Sequence, residues 1–357
     1  MTVHMPTEAE NVASVMAIVA GRHFGGPATI EHLVRESGGA SRQTWSFDAV
    51  VNGERHGLIL RRDPPTLGLA VGGPAAGNSA GGSPPSERST SLDRATEFRV
   101  LRAAFQAGVR APEVLFELSP ADGLGEAYVM RRIGGTAIAR KLLRDPPYAA
   151  ARGRIAGQLG EILARIHATD VGTLPPLAHR EAAHHIAGLR HQLDLLGQPQ
   201  PVFELALAWL DRRKPAPTAR PVLVHGDYRT GNYLADESGV TAILDWEGAH
   251  LGDPVEDLGW LCVKSWRFGA VDKPAGGFGS REALWTAYER AGGGKIDPAR
   301  AHWWEVFGTV RWGIICHNQA FRHLSGSIKS MELASIGRRA VETEVDLLQL
   351  LKSGGGN

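Results

Sequence analysis

The sequence predicts an α+β chain: a small antiparallel sheet first, then a larger and mostly helical part. Three observations predict it. Strand-like runs cluster before residue 62 and recur at Glu126 to Met130. From Ala149 on, apolar residues recur at helical spacing. Among the later helices lies a polar stretch, HGDYRTGNYL (His225 to Leu234), followed by ILDWE (Ile243 to Glu247). A chain of 357 residues can bury two cores, which we assign to 1–131 and 132–357.

The elements follow in order. Glu8 to His23 reads as a leading helix, closed by Gly25-Gly26-Pro27. Ile30 to Glu36 alternates apolar and polar residues and reads as a strand, with Thr44 to Val51 as the second. Between them, Ser37 to Ser41 form a Gly-rich turn that can lay backbone N–H groups over phosphates. The third strand is HGLILRR, His56 to Arg62. Pro64 to Thr90, rich in Gly, Pro, Ala and Ser, has no apolar period and reads as a loop. A helix beginning at Glu97 follows, then the strand EAYVM (Glu126 to Met130), the last of the sheet. Gly134-Gly135 lets the chain cross into the helical part.

In that part Ile155, Leu159, Ile162, Leu163 and Ile166 mark an amphipathic helix, Ala149 to His167. Pro201 to Arg213 is another, opened by Pro. Helices are expected at Arg281 to Ala291, capped by Gly292, at Pro298 to Leu324, and at Ile336 to Leu351. Trp260, Trp266, Trp303, Trp304 and Trp312 are expected mostly in the core.

The polar stretch carries the chemistry. The apolar run PVLV ends at His225, and Gly226 lets the backbone turn. Asp227 and Asn232 share one loop, and Asp245 ends the strand Val240 to Leu244. Asp227 is placed to take a proton from a hydroxyl. Asn232 and Asp245 offer the oxygens that magnesium prefers. Phosphoryl transfer needs these parts, because its catalysis is mostly positioning and charge neutralisation. HGD alone is ordinary turn chemistry; the joint pattern HGDxxxxN, short hairpin, LDWE is not. His184 and His185 are adjacent on a helix with no Cys or third His at ligand spacing, so no metal is expected there.

On these motifs the chain resembles the aminoglycoside phosphotransferase and choline kinase-like family, from about Ile30 to about Leu350. The resemblance implies a protein-kinase-like two-lobe fold, with HGD where protein kinases have HRD and LDW where they have DFG. It implies Asp227 as catalytic base, Asn232 and Asp245 as magnesium ligands, and ATP as donor. GDPVEDL, Gly252 to Leu258, matches the family's GDPxxDL, and Asp253 is expected to brace the catalytic loop. The nucleotide loop falls on Gly38, Gly39, Ala40 and Ser41, and the adenine-binding hinge on Met130, Arg131 and Ile133. Arg61 stands where the family usually has Lys, with Glu97 as its expected partner; Arg is no simple replacement. LARIHATD resembles LARLHxxD, with His167 as a packing residue.

The LRR strand and HGDYRxGN loop look more like the branch fused to acyl-CoA dehydrogenases in animals. A hydroxyacyl-CoA or other hydroxy-acid acceptor therefore stands beside an aminoglycoside-like one. Arg311, Arg322, Arg338 and Arg339 would suit the former, whereas Glu342, Glu344 and Asp346 are the acidic candidates for the latter. Arg229, inside the loop, is positioned for the γ-phosphate or an anionic acceptor.

Composition narrows the partners. Lys and Arg number 39 against 38 Asp and Glu, which argues against a nucleic-acid partner bound through its phosphates. Two cysteines, Cys262 and Cys316, read as buried thiols of a reducing compartment. No signal-peptide pattern or membrane-length apolar run occurs. The expectation is a cytoplasmic monomer or homodimer acting on a small-molecule hydroxyl. Two other classes stay open: a nucleotide-binding pseudoenzyme, and a metal-dependent hydrolase built on His225, Asp227 and Asp245. No GxxxxGK[ST] occurs, so P-loop enzymes are excluded.

Overall fold

The computed structural model describes residues 7–36, 43–63 and 91–353. Gly38, Gly39, Ala40 and Ser41, and the loop expected at 64–90, lie outside the described residues. The described residues fall into two compact units. The smaller holds those before position 64, Leu92–Phe105 and Ala111–Ile133; the larger holds Gln106–Arg110 and those from Gly134 on.

The smaller unit opens with helix α1 (Glu8–Phe24), started by a Thr7–Glu10 capping box and ended by Gly25 in the left-handed region, φ 79°. Its sheet has five strands, β1 (Ala28–Arg35), β2 (Gln43–Val51), β3 (Glu54–Asp63), β4 (Val114–Glu117) and β5 (Glu126–Arg131). Their order is β1-β2-β3-β5-β4, and every neighbouring pair is antiparallel. Strand β4 is four residues long, too short to show an alternation, and was not expected from the sequence. Alternation sorts the side chains between two faces. Trp45, Phe47, Leu58, Leu60, Ala127 and Val129 form a core with Val12, Met16 and Val19 of α1. Arg62 lies on that face too, its Nη2 2.7 Å from Glu8 Oε1. Arg61 and Tyr128, paired in register, face the other way, toward helix α2 (Arg94–Gln106).

The larger unit is built of helices α3 (Ala139–Arg144), α4 (Ala149–His167), α5 (Ala182–Leu196), α6 (Pro201–Arg212), α7 (Val255–Cys262), α8 (Arg281–Arg290), α9 (Pro298–Leu324), α10 (Met331–Gly337) and α11 (Ala340–Ser353). Two small antiparallel pairs are set among them: β6 (Val222–Val224) with β9 (His250–Gly252), and β7 (Tyr233–Asp236) with β8 (Gly239–Ile243). Close packing depends on glycine at a few points. A Cβ on Gly259 of α7 would lie 2.5 Å from Trp304 Cβ of α9. The single helix expected at Ile336 to Leu351 is two. Gly337 ends α10 where a Cβ would meet Ala320 at 2.5 Å, and the chain turns through Arg338 and Arg339 before α11. Cys262 and Cys316 are buried and unpaired. Among the described residues, no helix is long and apolar enough to cross a membrane.

Candidate active site

The catalytic-loop candidates converge at one end of the β7–β8 hairpin. Tyr233 and Ile243 pair across it, so Asn232 and Leu244 flank the same end, and the Leu244 N–H donates to the Asn232 carbonyl at 2.8 Å. Asp245 follows at once. It adopts the left-handed conformation, φ 60°, which costs a non-glycine residue about 1–3 kcal/mol and recurs at functional positions. Asn232 Nδ2 donates to Asp227 Oδ2 at 2.5 Å and to the Asp227 carbonyl at 3.0 Å. Its amide hydrogens are thereby turned toward Asp227, and the amide oxygen remains for other use.

His225 and Gly226 set the loop's shape. Gly226 has φ 78°, and a Cβ there would lie 2.3 Å from the Gly248 carbonyl oxygen, so HGD needs its glycine. The His225 ring donates from Nε2 to the Leu244 carbonyl at 2.9 Å, and its Nδ1 accepts from the Asp227 N–H at 3.2 Å. Burial pushes this imidazole below its ordinary value and keeps it neutral, the state those two bonds require.

The brace behind the loop is Asp257, not Asp253. Asp257 accepts the backbone N–H groups of His225 and Gly226 at 2.7 and 2.9 Å. It also faces His167 Nε2 at 3.3 Å, whose other nitrogen meets Tyr288 Oη at 2.9 Å. Asp253 sits at the turn into α7, and its side chain is drawn to α9 by Arg300 Nε at 2.6 Å and Trp304 Nε1 at 2.8 Å. One helical turn separates the two acids, and they therefore serve different neighbours.

Asp227 keeps a partly open side chain, 28% exposed. Its Oδ1 accepts from Trp260 Nε1 at 2.8 Å and Arg229 Nε at 3.1 Å. Arg229 stacks over Trp266 at 4.6 Å, and Arg311 over Trp260 at 4.5 Å while donating to the Gly226 carbonyl at 2.8 Å. Trp260 is buried, as most of the five tryptophans were expected to be, and its indole N–H is also a contact of the candidate base. No sequence signal separated it from the other tryptophans.

In the smaller unit Arg61 Nη2 lies 3.5 Å from Glu97 Oε1, as the order of strand and helix suggested. Glu97 is buried and also pairs with Arg94, whose Nε reaches Asp63 at 3.0 Å. Arg94 was missed because the helix begins three residues before the expected Glu97. Met130 and Arg131 fall inside β5; the Arg131 N–H donates to the Glu113 carbonyl and that of Arg132 to Gly57, both at 2.9 Å. Ile133 follows, at the end of the unit.

One expectation needs correction. His185 does have metal-ligand neighbours: the fold brings it to His250 and Glu256, with donor atoms of all three within 4.8 Å of one another. His184 instead accepts the Glu181 N–H at 3.4 Å. The three ligand candidates are scattered in the sequence, so spacing around the His pair held no trace of them.

A model of the phosphotransferase enzyme family matches residues 32–293. The chain is 30% identical to acyl-CoA dehydrogenase family member 11 of Gallus gallus over 46% of its length, and 27% identical to the probable acyl-CoA dehydrogenase IBR3 of Arabidopsis thaliana over 73%. The matches cover 22% and 34% of those two proteins, so the chain spans only part of their length. Among solved structures, an aminoglycoside phosphotransferase APH(4)-Ia variant in ternary complex with AMP-PNP and hygromycin B superposes with TM-score 0.60 at 18% identity, over 96% of this chain and 99% of that one. Macrolide 2'-phosphotransferase MphH from Brachybacterium faecium gives 0.56 at 18%, over 92% and 97%. At these identities the structures establish a shared kinase-like fold.

Proposed function

This chain belongs to the phosphotransferase enzyme family, and from that premise we propose that it moves the γ-phosphoryl group of ATP, with magnesium, to a hydroxyl of a small molecule. The observation that supports this best is the meeting of Asp227 and Asn232 beside Asp245 at the end of one hairpin. An amide oxygen and a carboxylate suit a hard cation that keeps several waters. Asn232 has its hydrogens turned away toward Asp227, and Asp245 is held in a strained conformation, so both fit that role. Magnesium, when bound, supplies charge neutralisation at the phosphates.

The chain's own residues supply the rest. Asp227 receives the acceptor's proton, its carboxylate aimed by Asn232 and Trp260. The acceptor must displace or bridge Arg229, which now occupies Oδ1. Arg61, fixed by Glu97, neutralises phosphate charge. No covalent intermediate on the protein is implied.

The acceptor reading that the site favours is anionic, a hydroxyacyl-CoA or other hydroxy acid. Arg229 and Arg311 line the aromatic surface at Asp227, whereas Asp346 is already paired with Lys264 at 2.6 Å and Glu342 with Arg339 at 3.2 Å. A polycation needs free converging carboxylates. The test is transfer of label from [γ-32P]ATP to a panel of aminoglycosides, macrolides, choline-like alcohols and hydroxyacyl thioesters. Labelling of the thioesters, lost in Asp227→Ala, is expected. Labelling confined to aminoglycosides would refute the anionic reading. Magnesium-dependent nucleotide binding with no labelled acceptor would leave the pseudoenzyme.

A further inference from the structure

Behind the catalytic loop, three residues far apart in the sequence meet: His185 on α5, His250 on β9 and Glu256 on α7. None has a part in the transfer described above. Glu256 is buried, its side chain 2% exposed, and its Oε1 has no hydrogen-bond partner among the described residues. Oε2 lies 3.0 Å from His185 Nε2 and 3.1 Å from His250 Nε2. The His185 contact lacks the alignment of a hydrogen bond, and that nitrogen has no other partner among the described residues.

The tautomer of His250 sharpens the problem. Its Nδ1 lies 2.9 Å from the Gly248 carbonyl, which can only accept, so Nδ1 carries the hydrogen. In the neutral ring, Nε2 then turns a lone pair toward the carboxylate. A bare Nε2 on either ring faces the carboxylate with a lone pair, an arrangement that a cation among them relieves. A proton on His250 Nε2 fills that role in part, in a hydrogen bond to Oε2 at 3.1 Å, but at His185 donor, hydrogen and acceptor are not in line. A metal ion fills it when the lone pairs converge on a third point.

We propose that His185 Nε2, His250 Nε2 and Glu256 form a structural binding site for a borderline transition-metal dication of the zinc class. Two imidazoles and one carboxylate are the donor set such ions take, and magnesium does not favour it. Zinc bonds to these atoms are about 2.0–2.2 Å, so tetrahedral ligands stand about 3.3–3.5 Å apart. The observed 3.0 and 3.1 Å need open by only a few tenths of an ångström. The Nδ1–H to carbonyl bond of His250 is the outer contact that orients a ligating imidazole. The ion would act as a fastening. Gly248, whose carbonyl holds His250, is the residue Gly226 packs against, and Glu256 precedes Asp257, which grips the loop's N–H groups. Metal at this site would stiffen the HGD turn from behind without touching substrate.

The full chain is stripped with a chelator and titrated with Co2+ alone, in millimolar magnesium. The expected result is one equivalent bound, with visible bands of low-coordinate cobalt that zinc abolishes, and a higher melting temperature. His185→Ala and Glu256→Gln should each weaken uptake at least about 100-fold. No cobalt uptake by the wild-type chain would overturn the site and leave an ion pair. Undiminished uptake in both variants, folded by circular dichroism, would overturn it equally. If the variants do not fold, zinc K-edge absorption of the loaded wild type decides: two imidazole nitrogens with oxygen support the site, and an oxygen-only shell sinks it.

Discussion

Asp227 and Asp257 lie within one small region of the larger unit and hold opposite stations. Asp227 is 28% exposed and accepts only side-chain donors, from Trp260, Arg229 and Asn232. Asp257 is wholly buried and spends both oxygens on the backbone N–H groups of His225 and Gly226. A carboxylate surrounded by side chains can be uncovered when a substrate arrives. One engaged by the backbone cannot, because its partners have nowhere else to turn. The contrast suits the first acid to the proposed chemistry and the second to holding shape.

Substitutions can break that contrast, and the largest effect belongs to Asp227. Asp227→Asn should lower the single-turnover rate by about 10²–10⁴-fold, while the urea midpoint moves by less than about 1 kcal/mol equivalent. A large stability loss would show that this acid, too, is structural. Asp257→Asn comes next and points the other way. It leaves a buried N–H facing an amide N–H, an unmet donor that costs about 1–3 kcal/mol or more, read as a shifted urea midpoint. A variant with native stability but no activity would erase the distinction.

A smaller effect sharpens the picture on the Asp227 side. Trp260→Phe keeps the ring and removes the N–H that holds Oδ1. We expect kcat to fall about 3–10-fold with the KM for nucleotide unchanged, the signature of lost positioning at roughly 1 kcal/mol. A change confined to KM would move Trp260 from the base to the binding surface.

Much of this was legible in the sequence, and the reason is distance along the chain. Asp227, Asn232 and Asp245 belong to one loop and one hairpin, so local pattern alone brings them together. Arg61 and Glu97 were legible for a different reason: the family resemblance and the order of strand and helix pointed to them, and in the structure strand alternation turns Arg61, not Arg62, toward the helix. What escaped depended on packing between distant segments. Nothing local tells Asp253 from Asp257; the choice is made by Arg300 and Trp304 on a helix some fifty residues on. His250 and Glu256 flank that same turn, and their third companion sits on α5, more than sixty residues earlier in the chain. Trp260 looked like any other tryptophan until α7 aimed it at Asp227.

The smallest prediction concerns the residue both acids share as a neighbour. His225 is buried and its folded-state value is depressed, burial being the chief cause. The unfolded chain binds a proton near pH 6.5, which the folded chain refuses at that pH. Stability from this group is therefore complete above about pH 6.5 and is lost as pH falls below it, with a slope of up to about 1.4 kcal/mol per unit. His185, His302 and His317 are depressed in the same direction, so the wild-type slope is a sum. His225→Asn removes one titrating group from that sum. Urea unfolding from pH 7 to pH 5 should give a shallower line for the variant, even if it starts lower. Parallel lines would mean that His225 takes up its proton in the folded state, with Nδ1 no longer accepting the Asp227 N–H, and the loop would then owe its shape to Gly226 and Asp257 alone.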